Sequence, residues 1–219
     1  MLITSISGIR GTVGGRAGEG LSPADVVQFA SGYGAWVLEQ KSADDNRRVL
    51  VVVGRDARLS GPWVRDVVCG TFNAMGIDVV DLGLSTTPTV ELAVPQLQAA
   101  GGVILTASHN PKEWNALKLL NHHGEFLSGA EGDRVLKLAR AGVQYASVED
   151  TGRTVLDDTW LAWHVEHVLN LDLVNAETVR AAGLKVAVDA VNSTGGIAVP
   201  LLLEAMGVEV VRVHCEPSG

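Results

Sequence analysis

The residues best suited to chemistry stand in polar turns that follow apolar runs. In the stretch GGVILTASHNP, residues 101–111, an apolar run ends at Ser108. The carboxyl ends of strands are where α/β sheets commonly assemble their sites, so a serine there is a candidate nucleophile. A serine hydrolase would need a Gly-x-Ser-x-Gly elbow with a remote histidine and acid. Thr106 and Asn110 occupy the two glycine places, and His109, the next residue, cannot readily turn back as a base. Without further support, Ser108 would serve only to cap the Asn110-Pro111 bend.

Four polar turns share the first part of the chain: SISGIRGTVGG, GRDARLSG, TASHNPKEWNALK and NHHGEFLSG. They and their immediate flank bring together Arg10, Arg16, Arg55, Arg58, Lys112 and Lys118 in an otherwise acidic chain. Glycine lets backbone N–H groups approach anionic oxygens, and arginine adds a planar fork, so the combination suits phosphate. Taken singly, each turn reads equally well as solvated residues beside a tight bend. The pairs His122/His123 and His164/His167 lack a third ligand nearby and read as surface histidines rather than metal ligands.

Positioning these turns is the work of alternating β-branched runs and helical stretches, which predict an α/β fold around a parallel or mixed sheet. Ser22-Pro23-Ala24-Asp25 has the pattern of a helix start, with the helix running to about Gln40. RRVLVVVGRD, residues 47–56, reads as a strand buried on both faces. A helix over 62–75 and a strand in GIDVVDLG follow. The segments VVVGRDARLSGPWVRDVVCGTFNAMGIDVV and VAVDAVNSTGGIAVPLLLEAMGVEVV repeat one plan of strand, glycine-containing turn, helix and strand. Both helices end in Ala-Met-Gly, at 74–76 and 205–207, with glycine placed as a C-cap, so a duplicated βαβ unit is expected. Between them, DDTWLAWHVEHVLNLDL spaces Leu161, Val165, Val168 and Leu169 as a connecting helix would.

The 219 residues, 47% hydrophobic, are enough to fill a core, and the formal charge of −8 disfavours nucleic acid and anionic membrane as partners. Cys69 and Cys215 each lie in apolar α/β surroundings, where a lone thiol is a small buried hydrophobe and suits a reducing cytoplasm. No signal-peptide pattern and no apolar run of membrane-spanning length is found. The second βαβ unit is incomplete beside the first, which predicts a fragment: residues 1–150 as one α/β/α domain, 151–183 as a connecting helix, and 184–219 as the opening of a second domain.

GGVILTASHNPKEWNALKLLNHHGEFLS resembles the phosphoserine loop of the α-D-phosphohexomutase superfamily, which includes phosphoglucomutases, phosphomannomutases and phosphoglucosamine mutases. SGIRGTVGG resembles that family's N-terminal Gly-Ile-Arg-Gly segment, VVVGRDARLSG its Gly-Arg-Asp-x-Arg turn, and KVAVDAVNSTGG the opening of its second domain. The resemblance implies a three-layer α/β/α domain with a mixed sheet, followed by the opening βαβ unit of a similar one. It implies that Ser108 carries a phosphoryl group, giving it to a hexose phosphate and taking the other phosphate back from a bisphosphorylated sugar, a net move between C1 and C6. Arg10 and Lys118 match positions that assist proton movement or bind the phosphoserine, with Arg10 and Arg55 the cations expected beside Lys118. His109 and Asn110 match residues that shape the loop, and Arg55 and Arg58 are further phosphate-binding candidates.

The implied partner is glucose, mannose or glucosamine phosphate, and the implied cofactor is Mg2+, ligated by the phosphate on Ser108 and by three aspartates. The aspartate-rich metal loop and the sugar-recognition loop are not in these residues, so the chain by itself is expected neither to hold the metal nor to catalyse. Ala116 stands where the family often has glycine, a tolerable change if its φ stays negative. The alternatives are a phosphoglucosamine mutase within the family and, outside it, a non-catalytic phosphate-binding or interaction module.

Overall fold

A computed structural model describes residues 1–5, 8–42 and 46–219. Ser7 of the Ser-Gly-Ile-Arg segment lies outside the described residues. Seven strands form one mixed sheet: β1 (Leu2–Ser5), β2 (Gly8–Thr12), β3 (Leu50–Arg55), β4 (Asp78–Leu84), β5 (Gly101–Leu105), β6 (Trp114–Leu120) and β7 (Thr154–Leu156). Their spatial order is β1-β2-β6-β5-β3-β4-β7, antiparallel from β1 to β5 and parallel from β5 to β7.

Helices α1 (Pro23–Glu39), α2 (Gly61–Ala74), α3 (Thr87–Gln96) and α4 (Gly129–Ala141) cover the two faces. The two-residue period of β3 divides the core. Val51 and Val53 pack with Tyr33, Phe72 and Val135 of α1, α2 and α4, while Val52 packs with Val90 and Val94 of α3. The result is the expected α/β/α sandwich, with strands apolar on both faces because both are covered.

Local signals place the helices. Ser22 and Asp25 form a reciprocal capping box ahead of Pro23, so α1 starts where its sequence indicates and ends one residue short of Gln40. The carboxylate of Asp25 also accepts a 2.8 Å bond from Gly18 N–H, which ties the glycine-rich turn to the helix. Burial pushes the Asp25 carboxyl up, but the bonds from Ser22 and Gly18 outweigh it and hold it below the usual carboxylate range.

The second βαβ unit is present: β8 (Lys185–Asp189), α7 (Gly195–Ala205) and β9 (Glu209–Val213), with the two strands parallel. Its helix ends as α2 does. Gly76 and Gly207 both have φ of +79°, the left-handed cap geometry.

Two features differ from expectation. The boundary drawn at 150 falls just before β7, which pairs with β4, so the first sheet takes a strand from the presumed connector. A three-residue strand is too short to show a period. The same stretch also holds two helices rather than one, α5 (Trp160–Leu169) and α6 (Ala176–Ala181).

Helix α5 docks through Trp160 onto the α3 layer, and His164 Nδ1 lies 2.8 Å from Thr89 Oγ1. His164 is therefore a contact between elements and not a surface histidine. Cys69 is buried, and its thiol is pushed up to about 12, chiefly by burial. Cys215 instead lies half-buried beyond β9, with Sγ donating to Val188 C=O. Among the described residues, no helix is long and apolar enough to cross a membrane.

Candidate active site

The order β5-β3-β4 creates a topological switch. The chain leaves β3 through α2 on one face and returns from β4 through α3 on the other, so the loops after β3 and β5 diverge and open a crevice at the strands' carboxyl ends. The GRDARLSG and TASHNP turns are these two loops, and Asp56 N–H bonds Leu105 C=O across them at 3.1 Å.

Ser108 stands exposed at the lip of the crevice with φ of +53°. The left-handed conformation is uncommon outside glycine and needs support from its surroundings. Its amide donates to Thr106 Oγ1 at 3.1 Å, and Thr106 Oγ1 donates to Asp56 Oδ2 at 2.6 Å.

Antiparallel pairing brings Arg10 opposite Ala116, two residues from Lys118. Arg10 and Lys118 line one recess of about 200 Å3 with Ser108, His109 and Asn110. Gly8 closes its floor at φ of +117°, where a side chain would strike the carbonyl of Leu117. Among the described residues, Arg10 Nε is buried without a hydrogen-bond partner. Lys118 Nζ lies 5.8 Å from the centre of the Phe126 ring. Burial raises the Glu91 carboxyl of α3, and the nearby charge of Lys118 opposes the rise. Ala116 lies within β6, outside the positive-φ residues, as its methyl requires.

The other cations separate. Arg55 lines a different groove of about 600 Å3 with Arg65, Asp81 and Ile197, so it does not share the recess of Lys118. Arg58, expected to bind phosphate, has both terminal nitrogens turned to main-chain carbonyls of the TASHNP turn. Lys112 faces a second recess of about 300 Å3, shared by Ser108, His109, Val191 and Ser193. That wall from the second βαβ unit went unanticipated, although the turn VNST could have signalled it: Val191 and Asn192 both have positive φ, at 45° and 56°. Asp56 and Thr106, which support the Ser108 turn, stand inside the GRDARLSG and TASHNP motifs themselves.

The described residues contain no group of three His, Cys, Asp or Glu side chains able to hold a metal. The one carboxylate lining either Ser108 recess, Asp56, is engaged by Thr106 and Arg58. Magnesium therefore does not fit the described residues.

Comparison with known proteins bears on the family of the chain. Phosphoglucosamine mutase of Alkaliphilus metalliredigens is 34% identical over 212 residues, covering 97% of this chain and 45% of that protein. Phosphoglucomutase/phosphomannomutase of Thermococcus kodakarensis is 32% identical over 212 residues, covering 95% of this chain and 45% of that protein. The crystal structure of a phosphoglucomutase/phosphomannomutase family protein from Burkholderia thailandensis superposes with a TM-score of 0.77 at 25% identity, covering 99% of this chain and 45% of that one. The chain thus spans somewhat under half the length of these relatives. Residues 2–146 match the family described as phosphoglucomutase/phosphomannomutase, alpha/beta/alpha domain I, and it is to this family that the chain belongs.

Proposed function

We propose that the chain supplies the phosphoserine half of a phosphohexomutase, with Ser108 as the carrier of the transferred phosphoryl group. The observation that carries this reading is the convergence of Ser108, Arg10 and Lys118 on one phosphate-sized recess at the switch point of the sheet. The mutases among its relatives support it.

In the proposed cycle the bond between phosphorus and Ser108 Oγ breaks as a C1 or C6 hydroxyl oxygen of a hexose phosphate bonds to phosphorus. The bisphosphorylated sugar then turns over and returns its other phosphate to Ser108. Arg10 offsets charge on the phosphoryl oxygens, and Lys118 moves the proton of the reacting hydroxyl. His109 and Asn110 shape the loop that presents Ser108. Substrate is a glucose, mannose or glucosamine phosphate, and the relatives named for phosphoglucosamine favour the last. As domains, residues 1–156 form the phosphoserine unit, α5 and α6 connect, and residues from 184 begin a second unit.

The test is peptide mapping of the intact gene product for phosphate on Ser108, with turnover assayed on all three sugar phosphates. Phosphate on Ser108 that exchanges with a hexose bisphosphate is the expected result; a serine that never accepts phosphate overturns the reading. Lys118→Met should lower turnover by about 10²–10⁴-fold, the usual worth of general acid–base catalysis, and full activity would remove Lys118 from its role.

A further inference from the structure

Arg58 has none of the freedom a phosphate ligand needs. Its Nη1 donates to Pro111 C=O at 2.7 Å and to Trp114 C=O at 3.0 Å. Its Nη2 donates to Ser108 C=O at 2.8 Å and to Asn110 C=O at 2.7 Å. A guanidinium has five N–H groups, and these four bonds use every one on its terminal nitrogens. The fifth belongs to Nε, which lies 3.3 Å from Asp56 Oδ2 as an ion pair. The two side chains are only 11% and 13% exposed.

Asp56 closes a ring. Its Oδ1 accepts the Arg58 amide at 3.0 Å, and its Oδ2 accepts Thr106 Oγ1, which in turn accepts the Ser108 amide. Ser108 is therefore gripped at both ends of its own residue, the N–H through Thr106 and Asp56 and the C=O through Arg58 and Asp56. Four carbonyls converging on one point repel each other unless a cation with divergent donors sits among them. Lysine has only three donors at a single centre, whereas the planar fork of arginine reaches all four.

We infer that Arg58 is a positioning residue: paired with Asp56, it clamps the Ser108–Trp114 turn so that Ser108 holds its left-handed backbone and presents Oγ to the recess. The inference rests on the phosphoserine reading and deepens it, moving Arg58 from substrate ligand to framework.

The test compares the intact gene product with Arg58→Ala and Arg58→Lys by amide hydrogen exchange and by steady-state kinetics on glucosamine, glucose and mannose phosphates. In both variants exchange over residues 106–114 should rise about tenfold while β3 and β5 stay protected. The kcat should fall about 100-fold, the cost of an ångström-scale misplacement, with KM changed less than about twofold. Added guanidinium should restore part of the kcat of Arg58→Ala, and Arg58→Lys decides the matter if the alanine variant fails to fold. Wild-type exchange rates in the turn, or a raised KM with kcat intact, would overturn the clamp. Absence of turnover in the wild type sinks the mutase reading instead, and the exchange data still judge the clamp.

Discussion

At the scale of single residues, the site depends on a serine held where serine is seldom found. The φ of +53° at Ser108 costs on the order of 1–2 kcal/mol, offset by the bonds that grip its amide and carbonyl. Because the Ser108 side chain is exposed, its hydroxyl contributes little to stability. Ser108→Ala should therefore change unfolding free energy by no more than about 0.5 kcal/mol while abolishing phosphate uptake, as read by denaturant titration and intact mass. Ser108 and Lys118 were legible as candidates in the sequence because the TASHNP motif and the lysine beyond it form one continuous signature, and both line one recess. The role of Arg58 was not. Its partners are carbonyls some fifty positions away in the chain, and carbonyls, common to all residues, leave no mark in side-chain types.

At the scale of elements, caps and contacts between helices set the geometry. Gly76 at φ of +79° ends α2, and a Cβ there would come within 3.1 Å of the carbonyl of Asp150. Gly76→Ala should cost about 1–2 kcal/mol by thermal unfolding, from the left-handed backbone alone.

The contact between α5 and α3 should weaken as pH falls. Burial first, and then the charge of neighbouring His167, hold the His164 imidazole below its ordinary value. With the folded pKa below the unfolded 6.5, the unfolded chain takes up the proton first as pH falls. The contribution of His164 is thus full above about pH 6.5 and is lost as pH drops through the folded value. The melting temperature should fall between neutral pH and about pH 5, and His164→Asn should flatten that dependence. The helix starts were readable because Ser22-Pro23 carries its own cap. The three-residue β7 was not, since only its pairing with β4 makes it a strand.

At the scale of the whole molecule, two helical layers press one sheet, and Phe72 of α2 lies fully buried in the core between the sheet and the layer of α1, α2 and α4. Phe72→Ala should remove about 3–5 kcal/mol, measured by urea unfolding, through lost transfer energy and the cavity left behind.

The alternation of apolar runs with helical stretches determined by itself that the protein is an α/β sandwich with a repeated βαβ unit, since periodicity and caps act over a few residues. The contiguous motifs likewise singled out Ser108 as the candidate position. Only the tertiary structure decided which cations share its recess. Arg10 lines the Ser108 recess because β2 pairs with β6, and Arg55 lines another groove. Arg58 is spent on the loop, and Val191 of the second unit walls the neighbouring recess. These outcomes depend on the order in which strands pair and on where backbone carbonyls converge, and both arise only when distant segments meet.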